Sequence, residues 1–370
     1  MGRDYRILVL GGYGHFGGRI SRALADDATL IVAGRDAAKA KTAARALGPL
    51  HEGVALDYTA HDLAARLRAL RADAVIHTCG PFQQQRYHVA RACVEAGAHY
   101  VDLADGRAFV AGIAELDAAA RERGVLVTSG ASTLPALSSA VIDEHRAHFL
   151  RLDSIDISIA PGQQTPRGVA TLEAVLSYCG QPFDAWEQGR WQTVYGWQGL
   201  HRFHYPDFGA RWLARCDVPD VQLFPARYAG VRRVRFDAGL ELAFAQGAFW
   251  LLAGIVRAGW VGNASRFAGL MVRVGPYFDW MGGNTGGMHV GLAGLDREGR
   301  AARIDWHLLA RRGHGPEIPC LPAIVLARKL ATGTLAARGA MPCMGLMTLS
   351  AFAEAVTAAE LDISWRTVFS

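Results

Sequence analysis

The stretch that decides the fold of this 370-residue chain is RILVLGGYGHFG, residues 6–17. An apolar run, 6–10, ends directly on a glycine-rich turn, and the residues from 17 onwards favour a helix. Glycines in the G-x-G-x-x-G spacing allow a tight turn, let backbone N–H groups approach a pyrophosphate, and let the helix pack closely on the strand. In this context the stretch predicts a dinucleotide site. The residues expected to contact the cofactor are Gly11, Gly12, Tyr13, Gly14, His15, Phe16 and Gly17.

The end of the second predicted strand, 29–33, indicates which dinucleotide is bound. A site that prefers NAD usually carries an acid here for the ribose 2′-hydroxyl, whereas Arg35 would pair with a 2′-phosphate. Asp36 is interpreted as the N-cap of the following helix, 37–47. The sequence therefore predicts NADP(H) as the cofactor. The alternative is that Arg35 is only a solvated loop arginine.

Residues 5–130 alternate between strand-like and helical stretches with short connections. The predicted strands are 6–10, 29–33, 53–57, 73–78, 99–103 and 125–129. The predicted helices are 17–25, 37–47, 61–70, 84–97 and 108–123. Because right-handed crossovers leave few other topologies, this alternation predicts an α/β fold with a doubly wound parallel Rossmann sheet, whose ligands bind at the carboxyl ends of the strands.

Two of these strand ends carry candidate site residues. Asp57 closes the third strand and either contacts the adenine side of the cofactor or caps its own loop. Cys79, Gly80 and Pro81 follow the fourth strand and are expected to line the nicotinamide side, where glycine permits close approach and proline stiffens the turn. Cys79 is also a candidate catalytic thiol, although a small packed residue beside the cofactor is the favoured interpretation.

The pattern changes after about residue 135 and predicts a second, α+β domain with a mixed or antiparallel sheet. The predicted domains are 1–135 for NADP binding, 136–345 for substrate binding and dimerisation, and 346–370 for a C-terminal helix and strand that could pack back on the first domain. The elements predicted in this half are strands 151–160, 289–295, 301–310 and 361–368 and helices 168–179, 240–259, 320–332 and 345–358.

Three features of the second half leave alternatives open. His314 and Glu317 lie three residues apart in a stiffened loop, which suits proton transfer but also fits a surface loop with a capping glutamate. The glycine-rich run 282–288 fits a second anion-cradling loop or a flexible turn. Residues 242–256 form an apolar stretch that fits a buried helix, a membrane-surface helix or a dimer contact.

Composition excludes several classes of function. The formal net charge is +5, but the arginines are scattered and not interleaved with aromatic residues, so no nucleic-acid partner is expected. Only three lysines occur, and none stands four residues after a tyrosine, which excludes a Tyr-x-x-x-Lys proton relay. The six cysteines lack zinc spacing, so no metal is expected. We expect a reduced, cytoplasmic protein. The longest apolar stretch is short for a membrane span, so no membrane partner is expected.

Five segments together resemble the saccharopine dehydrogenase-like oxidoreductases, over about residues 5–145. They are GGYGHFG at 11–17, AGRD at 33–36, TCGPF at 78–82, ACVEAGAHYVDLADG at 92–106 and SGASTLPALSS at 129–139. This resemblance implies a nicotinamide-dependent dehydrogenase or reductase, often a dimer, whose second domain supplies the substrate contacts.

The combined expectation is an NADP(H)-dependent oxidoreductase that transfers a hydride to or from a C=O or C=N carbon of a small substrate. His314 or a bound water is the expected proton donor, with His77 second. One alternative is a non-catalytic NADPH-binding sensor or scaffold. Another is a membrane-associated lipid or polyketide enoyl reductase of the same family. A cytoplasmic homodimer is expected.

Overall fold

The structure is a computed structural model that describes residues 5–83, 85–166 and 168–370. The predicted helix 84–97 begins at a residue outside this described part, Gln84. The strands are β1 (Arg6–Leu10), β2 (Thr29–Gly34), β3 (Glu52–Ala55), β4 (Ala74–His77), β5 (His99–Asp102), β6 (Leu126–Ser129), β7 (Phe149–Ala160), β8 (Pro182–Glu187), β9 (Arg190–Tyr195), β10 (His201–Tyr205), β11 (Gly209–Arg215), β12 (Arg233–Ala238), β13 (Gly286–Asp296), β14 (Ala301–Ala310), β15 (Gly339–Pro342) and β16 (Ile363–Phe369).

The helices lie between these strands, and a predicted single helix at 108–123 is two short helices joined by a 3₁₀ turn. The α-helices are α1 (Gly17–Ala23), α2 (Ala37–Leu47), α3 (Leu63–Ala69), α4 (His88–Ala96), α5 (Arg107–Gly112), α6 (Asp117–Glu122), α7 (Ser138–His145), α8 (Val169–Ser177), α9 (Pro219–Arg227), α10 (Ala243–Arg257), α11 (Ala268–Val274), α12 (Leu321–Ala331) and α13 (Leu349–Ala358).

The chain packs as two compact units, the first formed by residues up to Ala140 together with Glu317–Ala359. Its sheet is parallel throughout and has the strand order β15-β6-β5-β4-β1-β2-β3. The strand order reverses between β1 and β4, which makes this the topological switch point where a doubly wound sheet binds its ligand. The central strands are buried on both faces, which explains why they are uninterrupted apolar runs rather than alternating ones.

The seventh strand of this sheet, β15, comes from far along the chain. Gly339–Pro342 pairs in parallel with β6, and the backbone N–H of Ala340 donates to Asp117 of α6 at 2.8 Å. A four-residue strand with a glycine and a proline at its ends lacks the alternation or length that would predict it. Helices α12 and α13 also belong to this unit, so residues 317–345, placed in the second domain by the sequence prediction, pack in the first unit.

The second unit comprises Val141–Pro316 and Glu360–Ser370. Its nine-stranded mixed sheet has the order β10-β11-β12-β7-β13-β14-β16. In addition, β8 pairs with β12, and β9 pairs with β8. The predicted mixed or antiparallel sheet is confirmed, and so is the hairpin of β13 and β14. The predicted C-terminal segment 346–370 is divided between the units, because α13 lies in the first and β16 pairs with β14 in the second.

The stretch 182–236, to which no bounded helix or strand was assigned from the sequence, contains four strands (β8–β11), helix α9 and the start of β12. Most positions in β8 and β9 are half-buried or exposed, so their residues do not alternate between apolar and polar as a half-buried strand does. The tertiary contacts of these strands, rather than a local pattern, stabilise them.

Candidate functional site

The glycine turn after β1 has the backbone geometry that the motif requires. Gly11 has a φ of +78°, and its N–H donates to Ala33 O of β2 at 2.8 Å. Gly14 N–H donates to Gly11 O at 2.7 Å, which closes the tight turn. A Cβ on Gly14 would lie 3.0 Å from the same oxygen, so a side chain there would crowd the turn. Residues larger than glycine would therefore distort the turn at these positions.

Gly17 sets how closely α1 approaches the turn. A Cβ at this position would lie only 2.2 Å from Gly11 O and 2.8 Å from Thr78 Oγ1. The helix therefore begins in direct contact with the ends of β1 and β4, at the topological switch point. Its first turn carries no acidic side chain. A glycine cradle of this kind, opening a helix, fits the pyrophosphate of a dinucleotide.

The end of β2 provides a second part of this site. The Tyr13 ring lies against Gly34, where a Cβ would come within 2.5 Å of it, and the Tyr13 hydroxyl accepts a hydrogen bond from Asp36 N at 3.0 Å. Asp36 accepts from the backbone N–H groups of Ala38 and Lys39 at 2.9 and 3.0 Å, which confirms its prediction as an N-cap. These backbone hydrogen bonds lower the pKa of Asp36. The Asp36 carboxylate is therefore engaged by α2, and the neighbouring Arg35 is exposed to solvent.

Arg35 lies near other predicted site residues. Its positive charge helps to lower the pKa of Asp57, although hydrogen bonds from Thr59 are the larger cause. The same charge opposes the rise in the pKa values of Tyr58 and Cys79 that burial causes. Asp57 accepts from the Thr59 backbone at 2.9 Å and so caps its own loop, as one of its two interpretations states. Its contact with the adenine side of the cofactor stays a prediction.

The segment after β4 meets the glycine turn. Thr78 Oγ1 donates to Leu10 O at 2.7 Å and so ties β4 to the end of β1. The Gly80–Pro81 peptide bond is cis, and the Gln85 amide donates to Cys79 O at 2.6 Å and to Pro81 O at 2.9 Å. Burial raises the pKa of the Cys79 thiol to about 11, which keeps it protonated at neutral pH. This environment fits the packed small residue better than a thiolate nucleophile.

Asp102, at the end of β5, is a residue to which the sequence analysis gave no role. It is fully buried and accepts hydrogen bonds from Ala104 N, Ser129 Oγ and Gly130 N at 2.8–2.9 Å. Burial raises the pKa of this carboxyl to about 6, against the effect of those hydrogen bonds. The carboxylate thereby ties the turns after β5 and β6 together at the carboxyl edge of the sheet. Its position directly at a strand end was the signal that could have identified it.

His77, the second candidate for the proton donor, lies at the end of β4. It is buried between aromatic rings, 5.1 Å from Phe82 and 6.0 Å from Tyr100 measured between centroids. Its Nδ1 lies 3.0 Å from the Tyr100 hydroxyl. Burial lowers the pKa of this imidazole to about 3, so it is neutral at physiological pH. This environment favours a packed histidine inside the sheet over a proton donor.

His314 and Glu317 have different partners. His314 Nδ1 accepts from the backbone N–H of Asp362 at 2.7 Å, within the second unit. Glu317 belongs to the first unit, where its carboxylate accepts from Arg19 Nε of α1 at 2.8 Å. Arg19 also donates to His15 O at 2.6 Å, so Glu317 lies beside the glycine turn. The cooperation of His314 and Glu317 in proton transfer stays a prediction.

Cys320 marks a further contact of this returning segment. Its thiol donates to Phe16 O at 3.8 Å. Residues 317–320 therefore lie beside the glycine turn after β1, although about three hundred residues separate the two segments in the chain. The local sequence of 317–320 does not predict this contact, because the contact forms only when the segment that contains α12 packs in the first unit.

The glycine-rich run 282–288 was interpreted either as an anion-cradling loop or as a flexible turn. In the structure, its backbone binds a carboxylate of the same chain, that of Glu241. The Glu241 carboxylate accepts from Gly283 N at 2.9 Å and from Gln163 N at 2.7 Å. Arg211 also donates to this carboxylate, at 3.3 Å. The run therefore anchors Glu241 at the start of α10 within the second unit.

A cluster of possible metal ligands lies on β13 and β14. His289 Nε2 is 2.6 Å from Asp305 Oδ1, and His307 stacks on His289 with 4.8 Å between ring centroids. Arg303 donates to both oxygens of Asp305 at 2.7 Å. Because Asp305 is already paired with a guanidinium and an imidazole, the cluster is an ion-paired network. The expected absence of a metal stays a prediction.

Comparison with known proteins agrees with this site. Residues 7–148, which contain the glycine turn, Arg35 and the β4–β6 strand ends, match the family model described as the saccharopine dehydrogenase NADP binding domain. The chain therefore contains an NADP-binding domain of the saccharopine dehydrogenase type. NADP(H) is its cofactor, since this NADP-binding domain contains the glycine cradle and Arg35 at the end of β2.

Two solved structures are similar over nearly the whole chain. Apo saccharopine dehydrogenase (L-Glu forming) from Saccharomyces cerevisiae has 14% identity and a TM-score of 0.69, with 98% of this chain and 100% of that chain covered. Homospermidine synthase from Legionella pneumophila, in complex with NAD, has 9% identity and a TM-score of 0.63, with 98% and 91% covered. At these identities the likeness shows the fold alone. No curated protein sequence matches the chain.

Proposed function

We propose that this saccharopine dehydrogenase-like protein is an NADP(H)-dependent oxidoreductase acting on a C=O or C=N carbon of a small substrate. The observation that carries the proposal is the convergence of the glycine cradle, Arg35 and the Cys79–Pro81 segment on the carboxyl edge of one parallel sheet. Ligands of doubly wound sheets bind at this edge. When bound, NADP(H) supplies or accepts the hydride.

The residues of the chain bind and orient the cofactor. Backbone N–H groups near Gly14 and Gly17 would hold the pyrophosphate, because only glycine leaves room for it there. The exposed Arg35 guanidinium would pair with the 2′-phosphate by charge-assisted hydrogen bonds. Glu317 holds Arg19 beside the turn and so contributes to its positioning.

His314 is the proposed proton donor. Its Nδ1 accepts a backbone hydrogen bond, so the neutral ring carries its proton on Nε2. A half-buried imidazole with this fixed tautomer can present its Nε2–H to a developing alkoxide or amine, and a proton that it transfers is replaced on Nε2 from solvent water. A bound water is the alternative donor, and the protonated thiol of Cys79 would pack beside the reacting carbon.

The finer assignments concern assembly and location. We propose a homodimer, which the family resemblance supports. We also propose a cytoplasmic protein, because no disulfide joins its six cysteines and five of these are buried, as in proteins of reducing compartments.

The decisive experiment is a turnover assay over a panel of 2-oxo acids, aldehydes, ketones and cyclic imines, with NADPH consumption followed by absorbance. Turnover that is lost in His314→Gln and in Arg35→Asp, but retained in the surface variant Arg45→Asp, would support the proposal. Tight NADPH binding without turnover of any panel member would instead favour the non-catalytic sensor.

A further inference from the structure

One face of the second unit is apolar and exposed to solvent. Ten of the seventeen large apolar side chains that are exposed in the described part of the chain lie within residues 244–281. Trp260, Tyr277 and Trp280 are exposed by 82%, 78% and 80%. We call the exposed side chains of 244–281 the aromatic face. Such a concentration marks an interaction surface, whereas single exposed apolar residues do not.

Helix α10 is apolar on both of its sides. One side is buried and includes Phe249, Ala253 and Val256. The other side exposes Phe244 and Leu251, seven residues apart and therefore on one stripe of the helix. A helix without a polar side is expected inside a protein or in contact with lipid. The interpretation of 242–256 as a buried helix is thus correct for one side of α10 only.

The face is continuous beyond α10. The Phe244 ring of α10 lies 5.4 Å, centroid to centroid, from the Phe278 ring of the 3₁₀ segment Gly275–Met281. This segment packs against α11, which in turn packs against α8. The exposed aromatic side chains therefore belong to one packed helical layer.

The exposed charged side chains of residues 243–281 are all positive. Residues 243–281 contain Arg257, Arg266 and Arg273, all of them exposed, and a single acid, Asp279. Asp279 is half-buried and accepts a hydrogen bond from Gln163 at 3.0 Å. A segment that combines exposed tryptophan and tyrosine side chains with exposed arginines has the composition that binds the headgroup region of anionic bilayers.

A second copy of the chain fits the aromatic face less well. A two-fold interface brings the same patch against itself and must be self-complementary. Here it would bring the three arginines of one copy towards those of the other, with Asp279 already engaged. Anionic lipid headgroups supply the missing negative charge.

We propose that the aromatic face docks on an anionic lipid surface, with α10 lying in the plane of the interface. No helix in the described ranges has the length and apolarity needed to cross a bilayer. The docking is peripheral: tryptophan and leucine side chains enter the headgroup region while the arginines pair with lipid phosphates. This surface shares no residue with the cofactor site, and the proposal does not depend on the proposed reaction.

Co-sedimentation of the full-length protein with vesicles tests the proposal. We expect roughly tenfold or stronger binding to phosphatidylcholine vesicles containing phosphatidylglycerol than to pure phosphatidylcholine, weakened by added salt. Tryptophan emission is expected to shift to the blue on binding. The variants Leu251→Glu/Trp260→Ser and Arg266→Glu/Arg273→Glu are each expected to lower binding by roughly tenfold or more.

The matched controls are Leu50→Glu and Arg45→Glu, which alter exposed residues of the first unit. They are expected to bind vesicles like the wild type. Unchanged NADPH binding and circular dichroism establish that all variants fold. Wild-type protein that stays in the supernatant would overturn the proposal, as would equal binding by the face variants and the controls. So would a dimer that dissociates in Leu251→Glu without any vesicle binding, which would make the face a contact between copies.

Discussion

The carboxyl edge of the first sheet and the aromatic face of the second unit differ in how their residues are constrained. At the sheet edge, Gly11 is required by its φ of +78°, and Gly14 and Gly17 are required because a Cβ would lie 3.0 and 2.2 Å from Gly11 O, so the local sequence displays the site. In α10, which contributes to the aromatic face, Phe249 and Leu251 are both apolar, and only the fold decides that Phe249 is buried and Leu251 exposed. A backbone requirement is thus visible in sequence, whereas the exposure of an apolar residue is not.

The largest expected effect separates the two sides of α10. Phe249 is buried against Trp197, with 4.9 Å between ring centroids, so Phe249→Ala is expected to lower the free energy of unfolding by about 3–5 kcal/mol. Leu251→Ala, on the exposed side, is expected to change it by less than about 0.5 kcal/mol. Urea titrations of both variants measure the difference. Equal losses would mean that Leu251 is covered in solution.

The next effect concerns the buried carboxyl at the sheet edge. The pKa of Asp102 is raised from 3.8 to about 6, so between these pH values the folded state holds the proton more tightly than the unfolded chain. Its contribution to stability is therefore complete below pH 4 and declines as the pH rises through about 6, by up to about 3 kcal/mol.

Comparison of Asp102→Asn with the wild type isolates this contribution. The amide stays neutral, so the difference between the two free energies of unfolding should vary over this pH range, in favour of the variant as the pH rises. The control Asp26→Asn changes an exposed acid and should run parallel to the wild type. A constant difference between Asp102→Asn and the wild type would argue against the raised pKa.

A smaller effect is expected at the glycine turn. A Cβ at Gly17 would meet Gly11 O at 2.2 Å, so Gly17→Ala forces the turn and α1 apart and should weaken NADPH binding by roughly tenfold to a hundredfold. Gly18→Ala is the matched control, because the nearest atom to a Cβ there lies 3.7 Å away. Calorimetric titration with NADPH measures both. If Gly18→Ala weakened NADPH binding as much as Gly17→Ala, the close packing of α1 on the turn would not explain the loss.

The last effect is confined to one of the two nucleotides and changes the cofactor preference. Arg35→Asp is expected to weaken NADPH binding by roughly tenfold to a hundredfold through the lost charge-assisted bonds, and to leave NADH binding within about threefold. Arg45→Asp, exposed near the end of α2, should alter neither. Competitive titration of the two nucleotides gives the ratio. A parallel loss for both nucleotides would exclude Arg35 as the partner of the 2′-phosphate.

The strands and the cofactor were predictable from sequence where the constraints are local. The predicted strands 6–10 and 29–33 coincide with β1 and β2 to within one residue, because both are buried apolar runs that end on glycine-containing turns. β15 and the strands within 182–236 escaped prediction, since short or half-exposed strands lack a periodic pattern. Asp102 escaped because its role depends on backbone groups about 28 residues further along the chain.

The sequence by itself determined the glycine cradle, the cationic end of β2 and hence the cofactor, because adjacent residues supply these features through their own backbone and charge. Only the tertiary structure decided that residues 317–345 belong to the first unit, that Glu317 binds Arg19 beside the turn, and that Glu241 accepts hydrogen bonds from the loop at Gly283. It also decided which side of α10 stays uncovered. These outcomes depend on contacts between distant segments, for which the local pattern of residues carries no signal.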